Sequence, residues 1–484
     1  MNNSNSKHKK KNCGGSVLAS GGFGCVFKPA LKCKGSTKRE KGKISKLMSV
    51  KYAKEEHSEI NKIKEKLENI SDYQDYYLVD NFTKCTPAKL TESDLKDYKK
   101  KCTALQKDNI TKENINKSLD KLSALNMPYG GLPIDEFITE KGSFKNFVKL
   151  NNSLIDLLLN GIIPMNEQNI FHCDIKDSNV LVDDSKTNFH TRLIDWGLTT
   201  EYEPFVDAKF PNSWRNRPLQ FNVPFSVIIF TDAFVEKYTK FIENGGENTE
   251  DELRPFVVDY YNFWMKERGK GHYKFINEIM YILFNRELTS ISDSKKKEKV
   301  EEDFTDLYIV NYIIEVLVHF TKFRKDKTLN LREYLDNVFI QIVDIWGFIS
   351  AYYPFLDFFN ENYDDLSEEQ LEIFKFLKDL FINYLYSPRI EPIKVNELIS
   401  DLRTLSDMFR SESSDTSSEL TKESSKSKTT STSASKSTTS SKSKSKSKSK
   451  STSKSKSTSK STSKSKGGNK IFNKNNSKTI KNKN

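Results

Sequence analysis

The apolar residues of this chain change period along its length. From Val17 to about Met48 they fall in short β-like runs, "SVLAS", "CVFKPAL" and "KISKLM", separated by glycine- and lysine-rich turns, a pattern that predicts antiparallel strands. In "YAKEEHSEINKIKEKLENI", residues 52–70, Ile60, Ile63 and Leu67 recur at steps of three and four, which predicts an amphipathic helix. "YYLVD" and "SALNMP" read as two more strands, and the charged stretch between them, 83–118, reads as an insertion. After "YGG" at 129–131 the period turns helical, first in "FKNFVKLNNSLIDLLLNGIIPMNEQ" and then from about 225 to 409, with few strand signals. The predicted fold class is α+β: a small β-rich lobe, a glycine-bearing hinge near 126–131, and a large helical lobe ending near Phe409.

Composition sets the limits of the folded part. Residues 1–15 read as a flexible basic arm, 16–410 as the folded domain and 411–484 as a tail. From Ser411 onward there are 19 lysines, no arginine and four acids, about +15, so a chain of net charge +12 is close to neutral elsewhere. The Ser/Lys alternation of the tail presents no apolar face and buries too little to offset chain entropy, so disorder is expected. Such an arm binds nucleic acid or an acidic partner through counterion release, offers serine and threonine hydroxyls as phosphoacceptors, or simply solvates the chain. With no aromatic between 411 and 471, any nucleic-acid contact is expected to be non-specific and salt-sensitive.

The six cysteines, at 13, 25, 33, 85, 102 and 173, form no CxxC pair, and no histidine cluster has metal-ligand spacing. Reduced thiols in a soluble intracellular protein are the expectation, with neither a zinc site nor a dense disulfide framework. "MNNSNSKHKKKN" lacks the apolar segment of a secretory signal, and "WGFISAYYPFL" is about half the ~20 residues that span a bilayer, so no membrane association is expected.

Three stretches carry candidate chemistry. In "LASGGFGCVF", 18–27, Gly21, Gly22 and Gly24 between strand-like runs let backbone N–H groups approach phosphate oxygens; Phe23 caps the loop, and Leu18 and Val26 cover an apolar base. Ala19, Ser20 and Cys25 complete that binding stretch. Lys46 lies on the following strand, where Glu59, preferred over Glu56 because of its register with Ile60 and Ile63, would pair with it and turn it toward the phosphates. In "NIFHCDIKDSNVLV", 169–182, Asp174 suits a base or orienter of an attacking hydroxyl, Lys176 a neutraliser of phosphoryl charge, and Asn179 an oxygen ligand for Mg²⁺. Asp195 in "LIDWGL" would be the second metal ligand, with Gly197 permitting a sharp departure.

These motifs, in this order on a β-then-α chain, resemble the eukaryotic-type serine/threonine protein kinases, and more narrowly the divergent kinases of giant nucleocytoplasmic DNA viruses of the mimivirus kind. The resemblance covers about residues 17–409. It implies a two-lobed kinase-like fold, ATP in the cleft with adenine near Asn126, Met127 and Tyr129, and transfer of the γ-phosphate to protein serine or threonine. It would place a viral protein in the host cytoplasm or the virion.

Departures from the family pattern carry their own expectations. Ala19 replaces the first glycine, and "DWG" replaces Asp-Phe-Gly. Cys173 stands where the family has the arginine that grips a phosphate on the activation segment, so activity is expected not to depend on phosphorylation of Thr199, Thr200 or Tyr202; Cys173 itself is a small filler or a redox switch. "NRPLQFNVPFS", 216–226, replaces Ala-Pro-Glu, and "DIWGFISAYYPFL", 344–356, resembles the family's buried helix, making 227–340 a helical insertion. Asp344 then either anchors the catalytic-loop backbone or caps a helix N-terminus. The rival readings are a pseudokinase scaffold, a small-molecule phosphotransferase of related fold, and a nucleic-acid or virion-packaging protein acting through its tail.

Overall fold

A computed structural model describes residues 15–185, 189–207, 210–212, 214–284, 294–320, 331–387 and 390–426; the N-terminal arm up to residue 14 and the tail beyond 426 lie outside them. The chain divides into a body, 1–425, and a second unit, 426–484, and the body alone is described below. It is α+β, with a small antiparallel sheet in its N-terminal region and helices in its C-terminal region.

The sheet contains β1 (Ser16–Ser20), β2 (Gly24–Lys28), β3 (Lys43–Ser49), β4 (Thr83–Cys85) and β5 (Leu122–Pro128), in the order β1-β2-β3-β5-β4. Pairing places Val26 opposite Lys46, Lys46 opposite Leu125, and Ile44 opposite Met127. Because side chains alternate across a strand, these residues share one face, while Cys25, Phe27, Leu47 and Ala124 fill a separate small core on the other. Helix α1 (Val50–Leu67) leaves β3 directly, capped by the Ser49 hydroxyl, and buries Ala53, Ile60, Ile63 and Leu67.

Three expectations for this region are corrected. The 83–118 segment is integral to the sheet region: it supplies β4 and two short helices, Tyr98–Lys101 and Thr103–Lys107, and contributes Leu90, Leu95, Tyr98, Leu105 and Ile115 to the small core. The cysteines expected to be reduced form two bridges, Cys25–Cys102 and Cys33–Cys85, with Cα separations of 5.4 and 5.7 Å. Partners 77 and 52 residues apart have no local spacing signal; folding the charged segment over the sheet brings them together. "YYLVD" forms no regular strand: Tyr73–Tyr76 is a short helix, and Tyr77 makes only an isolated bridge to Leu193.

In the C-terminal region β6 (Leu132–Pro133) leads into α2 (Ile134–Lys141) and α3 (Phe144–Asp156), followed by short strands β7 (Ile170–Phe171), β8 (Val180–Asp183), β9 (His190–Leu193) and β10 (Thr200–Glu201). β6, β8 and β9 form one small sheet, and β7 pairs with β10. Gly131, at φ +112°, lets the connection from β5 pass directly over the Val182 carbonyl, where any side chain would collide. The 227–340 stretch holds helices α4 (Asp232–Glu243), α5 (Glu250–Arg268), α6 (Tyr273–Phe284) and α7 (Ser294–Phe320), whose buried residues join the main core.

Helices α8 (Ile340–Ser350), α9 (Tyr353–Glu361), α10 (Glu368–Phe381) and α11 (Val395–Lys426) complete the body. The helical run Leu331–Glu361 is long and apolar enough to cross a membrane by composition, yet 89% of its most apolar window is buried in the protein. Helix α11 continues sixteen residues past Arg410, beyond the expected start of the tail. Once its packed turns at Leu398, Leu402, Leu405 and Phe409 are formed, propagation adds one hydrogen bond per residue.

Candidate active site

Between the inner face of the sheet and the β8–β9 strands lies a cavity of about 500 Å³. Its walls include Leu18, Ala19, Ser20, Gly21, Gly22, Val26, Lys46, Glu59, Met127, Tyr129, Lys176, Asn179 and Asp195, so residues from all three sequence stretches converge. Ile44, Leu78, Leu132 and Leu181 add apolar wall that sequence reading did not single out.

Three of the expected binding residues between Leu18 and Val26 do not line it. Phe23 is 58% exposed and stacks on Tyr52 at 4.7 Å. Gly24 lies against β3, where a Cβ would come within 2.7 Å of the Leu47 carbonyl. Cys25 faces the small core, bonded to Cys102. The Ser20 hydroxyl also accepts the backbone N–H of Ala104 at 3.0 Å, so the charged segment buttresses the glycine turn at two points. Asn126 likewise turns away, accepting the Ser45 hydroxyl and donating to Glu40 at 2.6 Å.

Lys46 pairs with Glu56, not Glu59: its Nζ lies 2.8 and 2.6 Å from the two Glu56 oxygens. Glu56, Ile60, Ile63 and Leu67 follow steps of four, three and four along one stripe of α1, whereas Glu59, three residues on from Glu56, sits about 60° round the helix from it and most of a turn farther along. Glu59 still faces the cavity, and burial, followed by the Glu56, Glu55 and Asp195 charges, pushes its carboxyl upward.

Asp174 is 6% exposed and fully partnered. Its Oδ2 accepts Lys176 Nζ at 2.9 Å and Asn179 Nδ2 at 3.0 Å; its Oδ1 accepts Asn222 Nδ2 at 2.9 Å. Burial alone would raise its pKa, but the Lys176 charge and hydrogen bond and the Asn222 amide hold it below the usual value. Both N–H groups of Asn179 go to Asp174, one to its carbonyl at 2.8 Å, which leaves the amide oxygen for a cation. Asp195 adopts φ +67° at the end of the β9 run, beside the cavity, and Trp196 packs between Tyr77 and His172.

The loop itself is suspended from distant residues. Asp344 accepts the backbone N–H of His172 at 2.8 Å and of Cys173 at 2.7 Å, the anchoring role expected of it. It lies inside α8 rather than at a helix N-terminus, which removes that alternative. Cys173, at φ +59°, is buried; its sulfur accepts the Trp214 indole N–H at 3.2 Å, and burial pushes its thiol up. Arg217 Nη2 donates to the Cys173 carbonyl at 2.8 Å, and Asn222 Nδ2 donates to the Ile175 carbonyl at 3.1 Å. Trp214, Arg217 and Asn222 were not expected as site residues: 41 to 48 positions separate them from their partners, and no motif marks them.

Among the described residues no group of three or more His, Cys, Asp or Glu could hold a metal ion alone. Asn179 and Asp195 fit a Mg²⁺ that takes its remaining ligands from phosphate and water, as this ion usually does. No protein-family model matches this chain, and no curated protein matches it.

Proposed function

We propose that this chain is an ATP- and Mg²⁺-dependent protein kinase that phosphorylates serine and threonine hydroxyls, with the sheet and helical regions as the two lobes of a kinase-like fold. The observation that carries this reading is the convergence of the paired Lys46, Asn179, Asp195 and Lys176 on one cavity beside a buried, ionised Asp174. A structural cluster has no need to hold two lysines, an amide and a carboxylate around a volume of nucleotide size.

On this reading the base lies against Leu18, Val26, Met127 and Leu132, and the Gly21–Gly22 turn covers the phosphates. Lys46, fixed by Glu56, contacts phosphate oxygens. Asn179 and Asp195 hold Mg²⁺, which supplies charge neutralisation when bound. Asp174 orients the acceptor hydroxyl and takes its proton as the new O–P bond forms and the bond from the γ-phosphorus to the bridging oxygen breaks, releasing ADP; the lowered pKa of Asp174 keeps it in the accepting form at neutral pH. Lys176 faces the charge on the transferring group.

The acceptor is a polypeptide with basic flanks. Next to the catalytic loop lies a second hollow of about 620 Å³ whose walls carry Asp135, Glu140, Asp177, Glu278, Asp357 and Glu361, with no lysine, arginine or histidine. The lysine-flanked serines beyond residue 426 have the matching chemistry, which makes autophosphorylation part of the proposal; polyanion binding by that segment is separate from it.

The test is transfer of radiolabelled phosphate from ATP with Mg²⁺ to basic and acidic protein acceptors, comparing full-length chain, a chain ending at residue 426, and Asp174→Ala. We expect phosphoserine and phosphothreonine on the basic acceptor and beyond residue 426, reduced at least about 100-fold in Asp174→Ala. ATP binding without transfer would identify a pseudokinase, and transfer only to small alcohols a small-molecule phosphotransferase.

A further inference from the structure

The segment Trp214–Asn222 grips three successive residues of the catalytic loop: the Cys173 sulfur and carbonyl, the Asp174 carboxylate and the Ile175 carbonyl. We propose that Asn222 and Arg217 are the positioning residues that hold Asp174 in working geometry without a phosphate on the preceding segment. The proposal rests on the kinase reading and adds how that site is kept active.

Asn222 is fully buried, and its amide nitrogen bridges Asp174 Oδ1 and the Ile175 carbonyl. Its own oxygen has no partner among the described residues. A purely structural amide would satisfy both ends; this one leaves its acceptor unmet while both its N–H groups go to the loop. Gly347 of α8 closes the arrangement from behind: a Cβ there would lie 2.7 Å from the Ile175 carbonyl and 3.3 Å from the Asn222 carbonyl, so loop and clamp are seated on a bare helix backbone.

Arg217 is 5% exposed, with Nη2 on Cys173 and Nε on Gln220 at 2.8 Å. Its charge lies near both Asp174 and Asp344 and balances two buried carboxylates. Position 173 is sealed by Trp214, and Tyr202, a candidate phosphoacceptor, is 2% exposed with its hydroxyl on Asp336. Modification of Tyr202 would require opening this packing rather than completing it.

The experiment is steady-state kinetics of the full chain after phosphatase treatment, with mass spectrometry confirming that 199–215 is unmodified. It compares wild type, Asn222→Ala and Asn222→Ser, the last retaining a hydroxyl donor. The expected result is full turnover by unphosphorylated wild type. Asn222→Ala should lose about 10- to 100-fold in kcat with KM for ATP unchanged, and Asn222→Ser should regain part of it. A merely structural residue would lower the melting temperature without this selective loss of kcat, and Asn222→Ser would not restore it. Unchanged kcat in a folded Asn222→Ala, or wild type that works only when phosphorylated, overturns the proposal while leaving the kinase reading intact. Wild type that binds ATP and transfers no phosphate in either state overturns both.

Discussion

The two walls of the cavity are held by opposite means. The sheet side has a small core of its own, two disulfides and a part-exposed ion pair, Lys46–Glu56. The side formed by the 172–175 loop has no covalent staple among the described residues; buried polar groups from α8 and the 214–222 segment hold it inside a large aromatic core. A small region buries too little apolar surface to fix a glycine-rich turn by packing alone, so cross-links supplement it. A loop set in a large core already excludes water, and there directional hydrogen bonds are strong enough to fix a carboxylate. Damage to the first wall should therefore weaken nucleotide binding, and damage to the second should reduce turnover.

The sharpest test of the sheet wall is the choice between its two glutamates. Glu56→Gln should lower kcat/KM for ATP about 100-fold by releasing Lys46 from position. Glu59→Gln should change it by less than about 3-fold, as expected for a carboxylate with no ion pair to lose. The reverse order in ATP-dependence assays would restore Glu59 as the partner.

Reduction of the disulfides comes next. A thiol reductant, or Cys25→Ser with Cys102→Ser, should remove about 2–4 kcal/mol of stability in denaturant melts and raise KM for ATP more than it lowers kcat. Equal loss in both constants would mean that the sheet and loop walls are not held independently.

The smallest effect concerns Asp177 on the acceptor side. Burial, with the Asp135 charge, raises its pKa to about 6. Between about pH 4 and 6 the folded chain therefore keeps a proton that the unfolded chain has released, and stability falls as pH rises through that window. Asp177→Asn should stabilise the protein by about 1–3 kcal/mol at pH 7.5 and by nothing near pH 3.5, measured by thermal melts at both pH values.

What the sequence by itself determined was local. Strand runs around Val17, Val26 and Ile44, the α1 stripe, and the short-range set Asp174, Lys176 and Asn179 were legible because periodicity and close spacing act within a few residues. Tertiary structure alone decided the rest. The integration of 83–118 into the sheet region is one such contact set; the Cys25–Cys102 and Cys33–Cys85 pairs and the grip of Trp214, Arg217, Asn222 and Asp344 on the 172–175 loop join residues 41 to 172 positions apart. Glu56 rather than Glu59 was decided by where the packing of α1 against the sheet brings the two carboxylates, most of a helical turn apart, relative to Lys46. Chain entropy opposes such distant contacts until a core has formed, so they leave no periodic trace in the sequence that makes them.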